Sequence, residues 1–208
     1  MYILNQNIEF PDVANADHEG LLAIGGDLSV ERLLLAYKNG IFPWFNEGDP
    51  YMWWSPDPRF VLYPEKLKVS KSMKQILRKS DFTVTVNKNF LAVIEACSQA
   101  KRNGQSGTWI TKNMVQSYLQ LHTLGYAKSI EVWQNNILVA GLYGIDLKNG
   151  VFCGESMFTN VSNASKVGFI TFLQNTKYKL IDCQIFTNHL ASLGAEEITR
   201  KKFLSYLK

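Results

Sequence analysis

The chain has 208 residues with 46% apolar and 19% charged side chains, an ordinary globular composition that argues against extensive disorder. It holds no run of 18 apolar residues, so no membrane span is expected, and residues Met1 to Phe10 lack the basic and apolar regions of a secretory signal. The net charge of +4 and pI of about 8.9 favour an anionic partner only mildly.

The first sixty residues read as loop-rich. Gly20 to Gly26 is a short apolar run ended by a Gly-Gly turn. Ser29 is an N-cap, Glu31 sits in the first turn, and Leu33, Leu34 and Tyr37 recur at helical spacing until Gly40 stops the helix. Two prolines around Asp57 exclude a helix in Trp53-Trp-Ser-Pro-Asp-Pro-Arg59. A small N-terminal unit, 1–62, is expected, followed by a larger one, 63–208.

In the larger unit, Val69, Met73, Ile76 and Leu77 define one face of a helix, and Lys71, Lys74, Arg78 and Lys79 form a basic face. Phe82 to Val86 alternates as a strand. Phe90, Val93, Ile94 and Cys97 mark a helix ending in the polar segment Lys101 to Gly107. Thr111 caps another helix, which Gly125 stops. The period then changes from 3.6 to 2, and strands from Ser129, Ile137 and Val151 form a meander joined by Gln134-Asn-Asn136 and Lys148-Asn-Gly150. A helix from about Asn163, an apolar strand Leu180 to Ile185 and short helices close the chain. This order predicts an α+β fold around a mixed sheet, as in GCN5-related acyltransferases, whose donor enters between splayed central strands.

Cysteines at 97, 153 and 183 form no CxxC, and the three histidines are scattered. A metal site and a disulfide framework are both disfavoured, and a reducing compartment is expected. Cys153 and Cys183 read as small buried hydrophobes. Asp182 and Gln184, two apart in an apolar strand, should face one side together. Glu155 likewise interrupts Phe152-Cys-Gly-Glu-Ser-Met-Phe158. A carboxylate in such a place is either paired or lines a cavity. Trp44, Trp53, Trp54 and Trp109 lie in loop-like contexts, as core plugs or stacking platforms.

Ten ordered segments carry a resemblance. Among them are Gly20-Leu-Leu-Ala-Ile-Gly-Gly-Asp-Leu28, Gly40-Ile-Phe-Pro-Trp-Phe45, Trp53 to Arg59, Gly107-Thr-Trp-Ile110, Gly154-Glu-Ser-Met-Phe158, Leu180-Ile-Asp-Cys-Gln184 and Ala191-Ser-Leu-Gly-Ala195. They cover nearly the whole chain, which resembles the bacterial leucyl/phenylalanyl-tRNA–protein transferases. The resemblance implies transfer of Leu, Phe or Met from aminoacyl-tRNA to the N-terminal amine of proteins that begin with Lys or Arg. That mark would direct them to proteolysis in the cytoplasm. It implies a small N-terminal domain and a GCN5-related domain, and no metal or organic cofactor; a monomer is the default expectation.

It further implies that Asp182 is the base or electrostatic partner, with Gln184 as its relay. A substrate-assisted route through the tRNA's own hydroxyl stays open. Leu142, Phe152, Glu155, Met157, Phe169 and Ile181 would surround the donor side chain. Trp53 or Trp54, with Trp109, would hold the terminal adenosine, and Lys71, Lys74, Arg78 and Lys79 would meet the acceptor stem. Phe169 is bulkier than the Leu common in the family, Lys128 replaces a usual His, and Thr199 a usual Pro.

Overall fold

A computed structural model describes residues 2–79, 81–100 and 108–208. The N-terminal unit contains β1 (Tyr2–Leu4), β2 (Leu21–Gly25), α1 (Val30–Lys38), β3 (Phe42–Pro43) and β4 (Met52–Trp54). These strands form a four-stranded sheet in the order β1-β2-β4-β3. The Ser29 side chain accepts the Arg32 N–H at the start of α1. Gly40 follows the helix at φ +74°, a conformation that L side chains rarely adopt.

The second part contains β5 (Arg59–Leu62), α2 (Lys71–Lys79), β6 (Thr83–Val86), α3 (Phe90–Gln99), α4 (Lys112–Thr123), β7 (Ala127–Gln134), β8 (Ile137–Asp146) and β9 (Val151–Thr159). It continues with α5 (Ala164–Gln174), β10 (Leu180–Gln184), α6 (Asn188–Ser192), β11 (Glu196–Ile198) and α7 (Arg200–Ser205). Its seven strands run β11-β5-β10-β9-β8-β7-β6. Only the β9–β10 neighbours are parallel, so the sheet is mixed and the fold is α+β, as the element order predicts.

The strand Arg59–Leu62 falls before the expected boundary at 62, yet it pairs with β10 and β11 inside the larger sheet. Its four residues are all buried, as a strand with neighbours on both sides requires. The short strands β1, β3, β4 and β11 are absent from the sequence reading. At two or three residues each they are too short to display a period. The polar segment expected after α3 lies at 101–107, outside the described residues.

The core packs helices α3 and α4 against one face of the large sheet and α5 against the other. Asn135 and Asn136 both have positive φ, which suits the tight β7–β8 turn. A bulge sets Gly144 of β8 against β9, where an added Cβ would lie 2.2 Å from the Cys153 carbonyl oxygen. Only glycine fits that approach. Among the described residues, no helix is long and apolar enough to cross a membrane.

Candidate active site

Strands β9 and β10 pair from Val151–Cys153 to Leu180–Asp182, and then they part. The cause lies in β10, which bulges against β5 between Asp182 and Gln184, with Gln184 at φ +64°. An extra residue in one strand bends it away from its neighbour. A cavity of about 490 Å³ opens along β9 beyond that point. Its wall is largely apolar, from Phe42, Pro43 and Trp44 of the N-terminal unit to Leu142, Met157, Phe158, Phe169 and Ile181 of the larger one.

Glu155 supplies the carboxyl at this wall. Gln184 Nε2 donates to its Oε1 at 2.9 Å, and the Tyr118 hydroxyl donates to its Oε2 at 2.9 Å. Tyr118 in turn shares a hydrogen bond with Tyr37 of α1. Desolvation pushes Glu155 up to about 7, against the pull of the Tyr118 and Tyr37 hydroxyls. Its side chain stays partly open to the cavity even though protein surrounds it. A carboxyl of this kind takes up and releases a proton near neutral pH.

Asp182 also borders the cavity. It is fully buried, and Arg59 grips it with Nε–Oδ1 and Nη2–Oδ2 bonds of 2.8 and 2.7 Å. The Gln184 N–H also donates to Oδ1 at 3.0 Å. Arg59 is itself sandwiched between the rings of Phe42 and Phe203, and its Nη1 donates to the Gly40 carbonyl. Asp182 therefore anchors the bulge that places Gln184, with Arg59 engaging both of its oxygens. The bulge breaks the two-residue alternation, so the Gln184 amide reaches Glu155 while its backbone N–H meets Asp182.

Leu142, Glu155, Met157, Phe169 and Ile181 come together at the cavity. Phe152 does not join them. It is fully buried against Phe172 and Tyr178, with centroids 5.0 and 5.4 Å away.

The tryptophans also sort differently. Trp109 lines the cavity. Trp53 is a core plug with no exposed surface; its Nε1 donates to the Gly25 carbonyl and its ring meets Phe10. Trp54 lies outside the cavity wall and supports Trp44, donating to its carbonyl at 2.6 Å with the rings 5.7 Å apart. Trp44, not selected from the sequence, lines the cavity beside Pro43. Its only signal was the Phe-Pro-Trp-Phe context, which looked no different from those of the other loop tryptophans.

Lys71, Lys74, Arg78 and Lys79 are exposed on α2, whose Met73 is buried, and none of them borders the cavity. Cys153 is buried, and desolvation drives its thiol far above the ordinary value, consistent with an inert packed side chain. Lys128 pairs with Asp146 at 2.6 Å, and Thr199 caps α7 through the Lys202 N–H, so both departures have local structural partners. Among the described residues, no cluster of three or more His, Cys, Asp or Glu is placed to hold a metal ion.

The GCN5-related N-acetyltransferase from Kribbella flavida superposes with a TM-score of 0.39 at 12% identity, covering 77% of this chain and 57% of that one. Among sequences, leucyl/phenylalanyl-tRNA–protein transferase of Flavobacterium johnsoniae is 59% identical, over 100% of this chain and 99% of its own. That of Flavobacterium psychrophilum is 56% identical over the full length of both. That of Klebsiella pneumoniae is 52% identical, over 97% of this chain and 87% of its own. The family model for the leucyl/phenylalanyl-tRNA protein transferase N-terminal domain matches residues 26–57, and the model for the transferase itself matches 61–208. With one family's two models following each other along the chain, and with relatives more than half identical over nearly all of it, the chain belongs to the leucyl/phenylalanyl-tRNA protein transferase family.

Proposed function

We propose that this member of an aminoacyltransferase family transfers Leu, Phe or Met from its tRNA to the N-terminal α-amine of proteins beginning with Lys or Arg. It acts as a cytoplasmic monomer and so marks those proteins for degradation. The observation that carries the reading is Glu155, a carboxyl held near neutral pKa on the wall of an apolar cavity. An α-amine titrates at about 7.7–8.0, close enough for proton exchange with such a group.

The donor's side chain enters the apolar pocket beside Leu142, Met157 and Phe169. Flexible Met and flat Phe accommodate several unbranched shapes. The terminal adenosine stacks on Trp44 and Trp109, and the α2 basic face meets the acceptor stem's phosphates. With the amine near Glu155, its nitrogen attacks the ester carbonyl carbon. The new C–N bond forms as Glu155 accepts the amine proton. Collapse of the tetrahedral intermediate breaks the C–O bond, and the proton passes to the departing ribose oxygen. The ester is already activated, so the enzyme needs only to position both partners and move one proton. In this scheme Gln184 and Tyr118 hold the Glu155 carboxyl in place, and Asp182 holds the Gln184 backbone.

The test is transfer of labelled leucine from Leu-tRNA to peptides beginning with Arg, Lys or Met, beside an RNase-treated control. Label on the Arg and Lys peptides alone, lost with RNase, is the expected result. Equal labelling of the Met peptide would refute the acceptor rule. No labelling would refute the transfer itself.

A further inference from the structure

Phe60 of β5 has a cross-strand partner on each side, Gln184 on β10 and Glu197 on β11. Neighbouring strands lie about 4.8 Å apart, which puts Gln184 and Glu197 on the order of 10 Å from each other. Directly opposed residues on neighbouring strands project to one face, so Glu197 and Phe60 share a face of the sheet. Phe186 packs on Phe60 with centroids 5.2 Å apart. Phe186 is nevertheless 55% exposed and Ile185 is 44% exposed, where the chain leaves Gln184 at the cavity rim. These two adjacent side chains offer apolar surface beside the rim. Glu197 is exposed, and its carboxylate has no partner among the described residues. Its neighbour Glu196 is by contrast paired with Lys66 at 2.6 Å.

We infer that Phe186 and Glu197 form the subsite for the cationic side chain of the acceptor's first residue. The inference rests on the transfer reaction proposed above. An aromatic face beside an unpaired carboxylate suits a guanidinium or an ammonium, through cation–π attraction and a charge-assisted hydrogen bond. The aliphatic stem of Arg or Lys crosses apolar surface well while its charged head stays at the edge. With the α-amine at Glu155, the stem runs over Ile185 and Phe186, and the charge meets Glu197 on the open edge strand.

Steady-state kinetics at saturating Leu-tRNA, with peptides beginning with Arg, Lys or citrulline, test this. Glu197→Gln raises KM for the Arg and Lys peptides about twofold to fivefold, leaves kcat unchanged, and narrows the discrimination between Arg and citrulline. Phe186→Ala raises KM for the same peptides, and Phe186→Tyr restores it. KM for Leu-tRNA and the melting temperature stay at wild-type values in the Glu197 variant. A Glu197→Gln enzyme that separates Arg from citrulline as well as wild type does would place the subsite elsewhere and leave the transfer reading intact. Failure of the wild-type enzyme on every peptide would instead remove that reading, and this inference with it.

Discussion

Arg59 and Asp182 form a bidentate ion pair with no exposed surface on Asp182, and this pair ties the strand after the N-terminal unit to the bulge of the catalytic sheet. Removing one partner of a buried pair strands the other charge, which costs about 3–5 kcal/mol. Asp182→Asn and Arg59→Met are therefore expected to lower the unfolding free energy by about that much in urea titrations. Wild-type stability in both variants would mean that the pair is not the anchor described here.

Glu155 links activity and stability to pH in opposite senses. Its carboxyl titrates near 4.5 in the unfolded chain and about 7 in the fold. Between those values the folded state binds more protons, so stability falls as pH rises through that window, by about 3 kcal/mol. If Glu155 accepts the amine proton as proposed, the transfer rate should rise over the same window, because only the deprotonated carboxyl can accept it. Glu155→Gln should flatten both curves and cut the single-turnover rate by about 100-fold or more. A variant with an unchanged pH profile would point to the substrate-assisted route.

Tyr118 and Tyr37 stabilise the charged form of Glu155. Tyr118→Phe removes a hydrogen bond to the carboxylate, so the rising limb of the pH–rate profile moves to higher pH. A limb that stays in place would show that another group titrates there.

Trp44, Trp53 and Trp109 should separate cleanly. Trp44→Ala and Trp109→Ala each lose about 1–3 kcal/mol of stacking and raise KM for aminoacyl-tRNA, with little change in melting temperature. Trp53→Ala empties a core position and costs about 3–5 kcal/mol of stability. Comparing melting temperatures with KM across the three variants checks the assignment.

Phe169 narrows the pocket. Phe169→Leu removes volume beside the donor side chain, and should shift kcat/KM toward Phe-tRNA over Leu-tRNA by about 1 kcal/mol. An unchanged ratio would put donor selection at other wall residues.

Local chemistry was legible along the chain. Ser29, Thr111 and Gly40 mark helix ends through single hydrogen bonds or a positive φ, and the change of period at Ser129 marks the meander. Glu155, Gln184 and Trp109 stood out because polar or aromatic side chains in apolar or loop surroundings need a partner. These features depend on a few neighbouring residues, so sequence by itself determined the α+β class, most elements and much of the cavity wall.

What the tertiary structure decided depends on residues distant in sequence. Asp182 and Gln184, expected to face one side together, meet different side chains, Arg59 and Glu155, because of the bulge against β5. Phe152 and Trp53 had the right chemistry for a ligand, yet core packing consumed both. Trp44 became a cavity residue because the N-terminal sheet brings it against the opening between β9 and β10. Strand alternation is a local rule, whereas a bulge and its ion pair across 123 residues are not.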